Sequence, residues 1–102
     1  MIDGLQIRHE GDKQRGEYRA ILPGSEHVGR MTWYKVGDAR LVDHTVVPPE
    51  IGGRGIAARL VEAIVADARE QGFRIIPQCS YVDAQFRRHP DWSDLLADGK
   101  KR

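Results

Sequence analysis

The sequence predicts an α+β fold: a mixed, mostly antiparallel sheet with two to three helices. Three observations carry that reading. The chain up to Val47 alternates apolar and polar residues with a period near two, as half-buried strands do. From Ile56 to Ala68 the apolar residues recur every four positions, as on one face of a helix. Between the two patterns lies a glycine cluster, Gly52, Gly53 and Gly55, where the chain changes from one periodicity to the other.

The elements follow in order. Leu5 and Ile7, preceded by Ile2, open an apolar series that Glu10-Gly11-Asp12-Lys13 interrupts. Tyr18, Ala20 and Leu22 then alternate with Glu17 and Arg19, and Pro23-Gly24-Ser25-Glu26 is a turn sequence. In the run from His27 to Val36, Met31 and Trp33 share one face and Val28, Thr32, Tyr34 and Val36 the other. Gly11, Gly16, Gly24, Gly37 and Gly72 are read as turn punctuation. Leu41 to Val47 is rich in β-branched residues and reads as a buried strand, and the short turns favour an antiparallel meander. Ile56, Leu60, Ile64 and Ala68 form the stripe of the main helix, with Val61 and Val65 widening it and Gly72 as its stop. Phe73 to Ile76 is a short buried strand. Ser80 is expected to cap a second helix carrying Val82, Ala84 and Phe86 and ending near His89-Pro90. Trp92, Leu95 and Leu96 are expected to pack a last turn onto the body, and residues 98–102 to form a frayed basic tail.

Composition narrows the function classes. A chain of 102 residues is expected to form one domain, and 40% hydrophobic with 30% charged residues describes a globular chain. Sixteen Lys and Arg against fifteen Asp and Glu leave a net charge of +1, which supplies no broad field for nucleic acid or an anionic membrane. One cysteine excludes an internal disulfide and a zinc site built on several thiolates, and no His or carboxylate pair has metal-ligand spacing. No apolar run approaches the roughly twenty residues that span a bilayer. Met1-Ile2-Asp3-Gly4 lacks the basic and apolar regions of a signal peptide, so a cytoplasmic location is expected.

The glycine cluster carries the chemistry. A buried strand ending at Val47 delivers the chain to Gly52-Gly53-Arg54-Gly55-Ile56-Ala57, where the helix begins. The first amides of a helix lack intrahelical acceptors and sit at the positive end of its dipole. Small residues let a phosphate approach them, and Arg54 can add a charge-assisted contact. The other reading is a surface turn that simply starts a helix. No Gly-Lys-Ser/Thr follows, so this is not a Walker loop, and the glycine spacing differs from the dinucleotide-binding fingerprint.

Gly-Arg-Gly-Ile-Ala followed by Arg-Leu-Val-Glu-Ala resembles the acetyl-CoA-binding motif of the GNAT N-acyltransferases, Gln/Arg-x-x-Gly-x-Gly/Ala. Gly55 and Ala57 match its last two places, and Gly52 stands where Gln or Arg is usual. Pro77-Gln78-Cys79-Ser80-Tyr81-Val82 and Phe86-Arg87-Arg88-His89-Pro90 are similar to segments of the small single-domain members of that family. The resemblance implies a minimal GNAT fold that binds acetyl-CoA in a wedge between the strand ending at Val47 and the strand from Phe73. It implies that the backbone near Thr45, Val46 and Val47 pairs with the pantetheine arm. It further implies that Gly52, Gly53, Arg54, Gly55, Ile56 and Ala57 hold the pyrophosphate, while Phe86, Arg87 and His89 lie along the CoA. Larger members place a Tyr on the second helix as general acid; here Arg87 and Arg88 stand nearby, and that role does not carry over.

Cys79 is the candidate acid for the departing CoA thiolate, or a transient acetyl carrier; a lone Cys also packs well as a small buried hydrophobe. His44 is the candidate base for an acceptor amine, or a hydrogen-bonded strand histidine. His9 and His27 are expected to be solvated, Trp33 and Trp92 to be core residues, and the Tyr81 ring to pack. The function implied is acetyl transfer from acetyl-CoA to a primary amine of an unspecified acceptor. The alternative is a CoA-binding or protein-interaction module with little or no turnover.

Overall fold

The computed structural model describes residues 4–53 and 55–97. Ile2, Arg54 and the expected tail at 98–102 lie outside the described residues. Four strands, β1 (Gln6–Gly11), β2 (Arg15–Ile21), β3 (Val28–Val36) and β4 (Ala39–Val46), form an antiparallel meander. A 3-10 turn at Pro49–Ile51 then leads into α1 (Ile56–Gln71), which crosses over to β5 (Arg74–Pro77), parallel to β4 at the sheet edge. The helix α2 (Ser80–Arg88) and a 3-10 turn at Pro90–Leu95 follow, and Leu96 bridges to Ile75.

The alternation read in the sequence becomes two faces. Tyr18, Ala20, Met31, Trp33, Val42 and Ile75 point to the side covered by α1 and are buried. The α1 stripe of Ile56, Leu60, Val61, Ile64, Val65 and Ala68 completes the core with Val82, Phe86, Trp92 and Leu95. Each large apolar side chain so buried contributes about 1.5–3 kcal/mol. The opposite face of β2–β4 carries Arg30, Thr32, Tyr34, Val36, His44 and Val46, and Val46 is 60% exposed.

The ends of α1 are those the glycines predict. Gly55 caps its start with φ 74°, and Gly72 closes its end with φ 83°, its amide donating to the Ala68 carbonyl. Two expectations are corrected. Gly16 is not in a turn: it lies in β2 opposite Trp33, and a Cβ there would stand 2.9 Å from the indole and 2.7 Å from the Glu10 carbonyl oxygen. Glycine is needed for that close approach. The N-cap of α2 is Cys79 rather than Ser80, which is the first helical residue.

A partly buried polar cluster ties α1 to the sheet. The Tyr18 hydroxyl donates to Asp67 at 2.6 Å and accepts from Arg40 at 3.1 Å. The Arg40 guanidinium lies between the rings of Trp33 and Phe73, 4.0 Å from each. The Trp33 indole N–H donates to His9 Nε2 at 3.0 Å, and the His9 ring stacks on Trp33. His9 is exposed, as expected of a solvated residue, and its ring also joins this cluster through Trp33. Burial, with Arg40 nearby and Asp67 opposing, holds its pKa below the ordinary histidine value.

Candidate active site

β4 and β5 pair through only four registers, from Ala39 opposite Arg74 to Val42 opposite Pro77. Beyond them β4 runs on to Val46, still paired to β3 but without β5 beside it. The two strands therefore part, and the β4 backbone from Asp43 onward faces a wedge on that side. Proline at the end of β5 stops the ladder, since it cannot donate to a neighbour. The Cys79 amide, donating to the Val42 carbonyl at 2.9 Å, marks the apex.

Cys79 is half-buried at this apex. Its thiol donates to the Thr45 hydroxyl across the wedge at 3.5 Å. The backbone groups of Tyr81 and Val82 in the first turn of α2 lie close enough to the sulfur to favour its charged form. Burial pushes the thiol up. The Thr45 side chain and the backbone groups of Val82, Tyr81 and Thr45 outweigh it, and the net displacement is below the ordinary thiol value. A helix N-terminus favours the thiolate in the same direction.

The glycine cluster lies at the mouth. Gly53 and Gly55 have φ of 73° and 74°, and a Cβ on either would meet nothing within 4 Å. Those φ values suit glycine, and the space above them is open. The amides of Ile56 and Ala57, in the first turn of α1, have no intrahelical acceptor. The Gly52 amide donates to the Pro49 carbonyl at 3.1 Å, so this residue offers space rather than a donor. Its φ of −72° imposes no strain on a side chain. Arg54 lies outside the described residues.

Thr45 and Val46 sit on the stretch of β4 that has β3 but not β5 beside it, and Val47 follows it, partly buried. His44 is on the other face of β4 from Thr45 and Cys79, and its side chain is 77% exposed. On α2, Arg87 is exposed and pairs with Asp83 at 3.4 Å. His89 Nδ1 donates to the Gln85 carbonyl at 2.8 Å, and the ring stacks on Trp92 at 3.9 Å. The Phe86 ring is buried edge-on to Trp92. The Phe86 ring belongs to the core and supports the His89–Trp92 stack. Among the described residues, no group of three His, Cys, Asp or Glu side chains could hold a metal ion.

A meander followed by a glycine-opened helix and a strand that parts from its parallel neighbour is the architecture of the GNAT acyltransferases. The chain belongs to the GCN5-related N-acetyltransferase family, whose sequence profile matches residues 17–95. It is 33% identical over 89 residues to Protein NATD1 of Bos taurus, covering 85% of this chain and 78% of that one. A GCN5-like protein of Staphylococcus aureus, solved by NMR, aligns with a TM-score of 0.69 at 25% identity, covering 94% of this chain and 91% of that one. The ribosomal-protein-alanine N-acetyltransferase of Brucella melitensis biovar Abortus 2308 shares the fold, with a TM-score of 0.60 at 20% identity over 76% of this chain and 62% of that one. The chain is also 30% identical over 86 residues to a stretch of the alpha-1,4-glucan:maltose-1-phosphate maltosyltransferase of Cereibacter sphaeroides, 84% of this chain but 14% of that protein.

Proposed function

We propose that the protein is an acetyl-CoA-dependent N-acetyltransferase that acts on a primary amine. The observation that carries this reading is the parting of β4 from β5 after Val42 and Pro77, beside the glycine-opened start of α1. The wedge exposes the β5-side edge of the Asp43–Val46 backbone to an extended pantetheine arm. Gly53, Gly55, Ile56 and Ala57 offer backbone and room to a pyrophosphate at a helix N-terminus. An amide on the β5-side edge of β4 polarises the thioester carbonyl and stabilises the tetrahedral oxyanion.

His44 takes a proton from the acceptor ammonium. The neutral amine forms the C–N bond, the C–S bond breaks as the intermediate collapses, and the nitrogen passes its second proton to solvent as the amide forms. Cys79, at the apex, gives its proton to the departing CoA thiolate and regains one from solvent. Direct attack needs no covalent enzyme intermediate, and an acetyl-Cys79 is the lesser branch.

Calorimetric titration with acetyl-CoA and CoA, with ATP and NAD as controls, tests the reading. Micromolar, CoA-selective binding that weakens in Gly55→Val is the expected result; absence of binding overturns it. Gly52, standing where the motif usually has Gln or Arg, favours a second reading, a CoA-binding module with little turnover. Cys79→Ala separates the two: the enzyme loses turnover and keeps its affinity for CoA, whereas in the module neither changes.

A further inference from the structure

β4 carries one residue more than β3 at the centre of the sheet. Thr32 pairs with His44 and Trp33 with Val42, so Asp43 is the inserted residue of a β-bulge. Bulges re-aim a side chain and interrupt a ladder. This one falls where β4 loses β5. The Thr32 hydroxyl donates to Asp43 Oδ1 at 2.6 Å and fixes one carboxylate oxygen. His44 Nε2 stands 3.8 Å from the other, Oδ2. Among the described residues no Lys or Arg lies within ion-pair distance of Asp43; the neighbouring acid, Glu17, pairs with Arg19 at 2.6 Å.

Asp43 and His44 lie on the sheet face that α1 leaves uncovered, while Thr45 and Cys79 lie on the helix side. Two clefts on that uncovered face meet here. One, of about 1040 Å³, includes Thr32 and Asp43 in its wall; the other, of about 540 Å³, includes Thr32 and His44. The apex of the wedge is thus reached from two sides, with the thiol on one and a carboxylate–imidazole pair on the other.

Resting on the N-acetyltransferase reading, we infer that the uncovered face is the acceptor side and that Asp43 binds the ammonium group of a cationic primary alkylamine there. Thr32 positions the carboxylate, whose second oxygen takes the ammonium; the ammonium releases its proton to His44 Nε2, and the neutral nitrogen attacks through the parting of the strands. The favoured acceptors are alkylammonium compounds such as a lysine side chain, in preference to neutral or anionic amines.

The test uses the full chain saturated with CoA and titrated with N-acetyl-lysine methylamide, followed by NMR, with the norleucine analogue as control. The lysine compound is expected to shift the amides of Thr32, Asp43 and His44, and the analogue to leave them in place. In acetyl transfer to the same compound, Asp43→Asn raises the amine KM about 10- to 100-fold, the loss expected for a hydrogen bond to a charged group. The acetyl-CoA KM stays within twofold. Asp43→Glu recovers part of the loss, and Thr32→Val shows a smaller rise. An unchanged response in Asp43→Asn by NMR, or equal loss of acetyl-CoA and amine affinity, overturns the inference. Failure of the wild-type protein to bind acetyl-CoA overturns the parent reading instead.

Discussion

Cys79 and Thr45 are 34 positions apart in the chain, yet their side chains meet across the wedge. Replacing Thr45 with Val removes a group that favours the thiolate. The rate of alkylation by iodoacetamide, followed against pH, is expected to rise through its midpoint at higher pH in Thr45→Val than in the wild type; an unmoved midpoint would count against the contact. Gly52 permits the opposite kind of experiment. Its extended backbone admits a side chain, and a Cβ there would meet nothing closer than 3.5 Å. Gly52→Arg restores the residue type usual in the motif, and calorimetry should show CoA binding at least as tight as that of the wild type. Gly55→Ala, with φ of 74°, strains the start of α1 by about 1 kcal/mol and is expected to lower the denaturation midpoint.

The elements differ in how openly the sequence announces them. The four-residue stripe of α1 and its glycine stop are legible because helix period and cap chemistry are local properties. So is the meander, whose turns carry their own residues. Gly16 misleads because a glycine that makes room for Trp33 looks, in sequence, like a glycine that turns the chain. The bulge at Asp43 is hidden because register belongs to a pair of strands, and nothing in Leu41 to Val47 alone shows an extra residue. Cys79 as a cap escapes for a similar reason: the ladder contact of its amide with Val42 fixes where α2 begins. Gly16→Ala forces the indole and the β1 backbone apart, and urea denaturation should show a loss of about 1–3 kcal/mol. Leu60→Ala, which empties a fully buried place on α1, should cost about 2–5 kcal/mol by the same measurement.

At the scale of the whole molecule the cluster of Tyr18, Asp67, Arg40, Trp33 and His9 spans β1 to α1, and it makes stability depend on pH. The folded state keeps His9 neutral, as acceptance of the Trp33 N–H requires, so its folded pKa lies below the unfolded 6.5. The unfolded chain therefore binds more protons below that value. The contribution of His9 is fully present above about pH 6.5 and is lost as pH falls from there through the folded pKa. The denaturation midpoint should fall over that window, and His9→Gln should flatten that part of the profile. Tyr18→Phe removes the hydroxyl that Asp67 and Arg40 share and should cost about 1–3 kcal/mol.

The parting of β4 and β5 has a mechanical side. Four registers of parallel ladder, the Cys79 bonds to Val42 and Thr45, the Phe73–Arg40 contact and the packing of α1 and α2 attach β5 and α2 to the meander. By contrast, β2 and β3 share seven pairs. A cleft that admits a substrate arm between two strands is also the seam along which a sheet separates at least cost. Amide hydrogen exchange should therefore be faster in β5 and α2 than in β2 and β3, and each opening along the seam would carry Cys79 away from Thr45. A molecule filling the wedge would tie the two halves together, so its binding should slow exchange in β5 and α2 more than anywhere else.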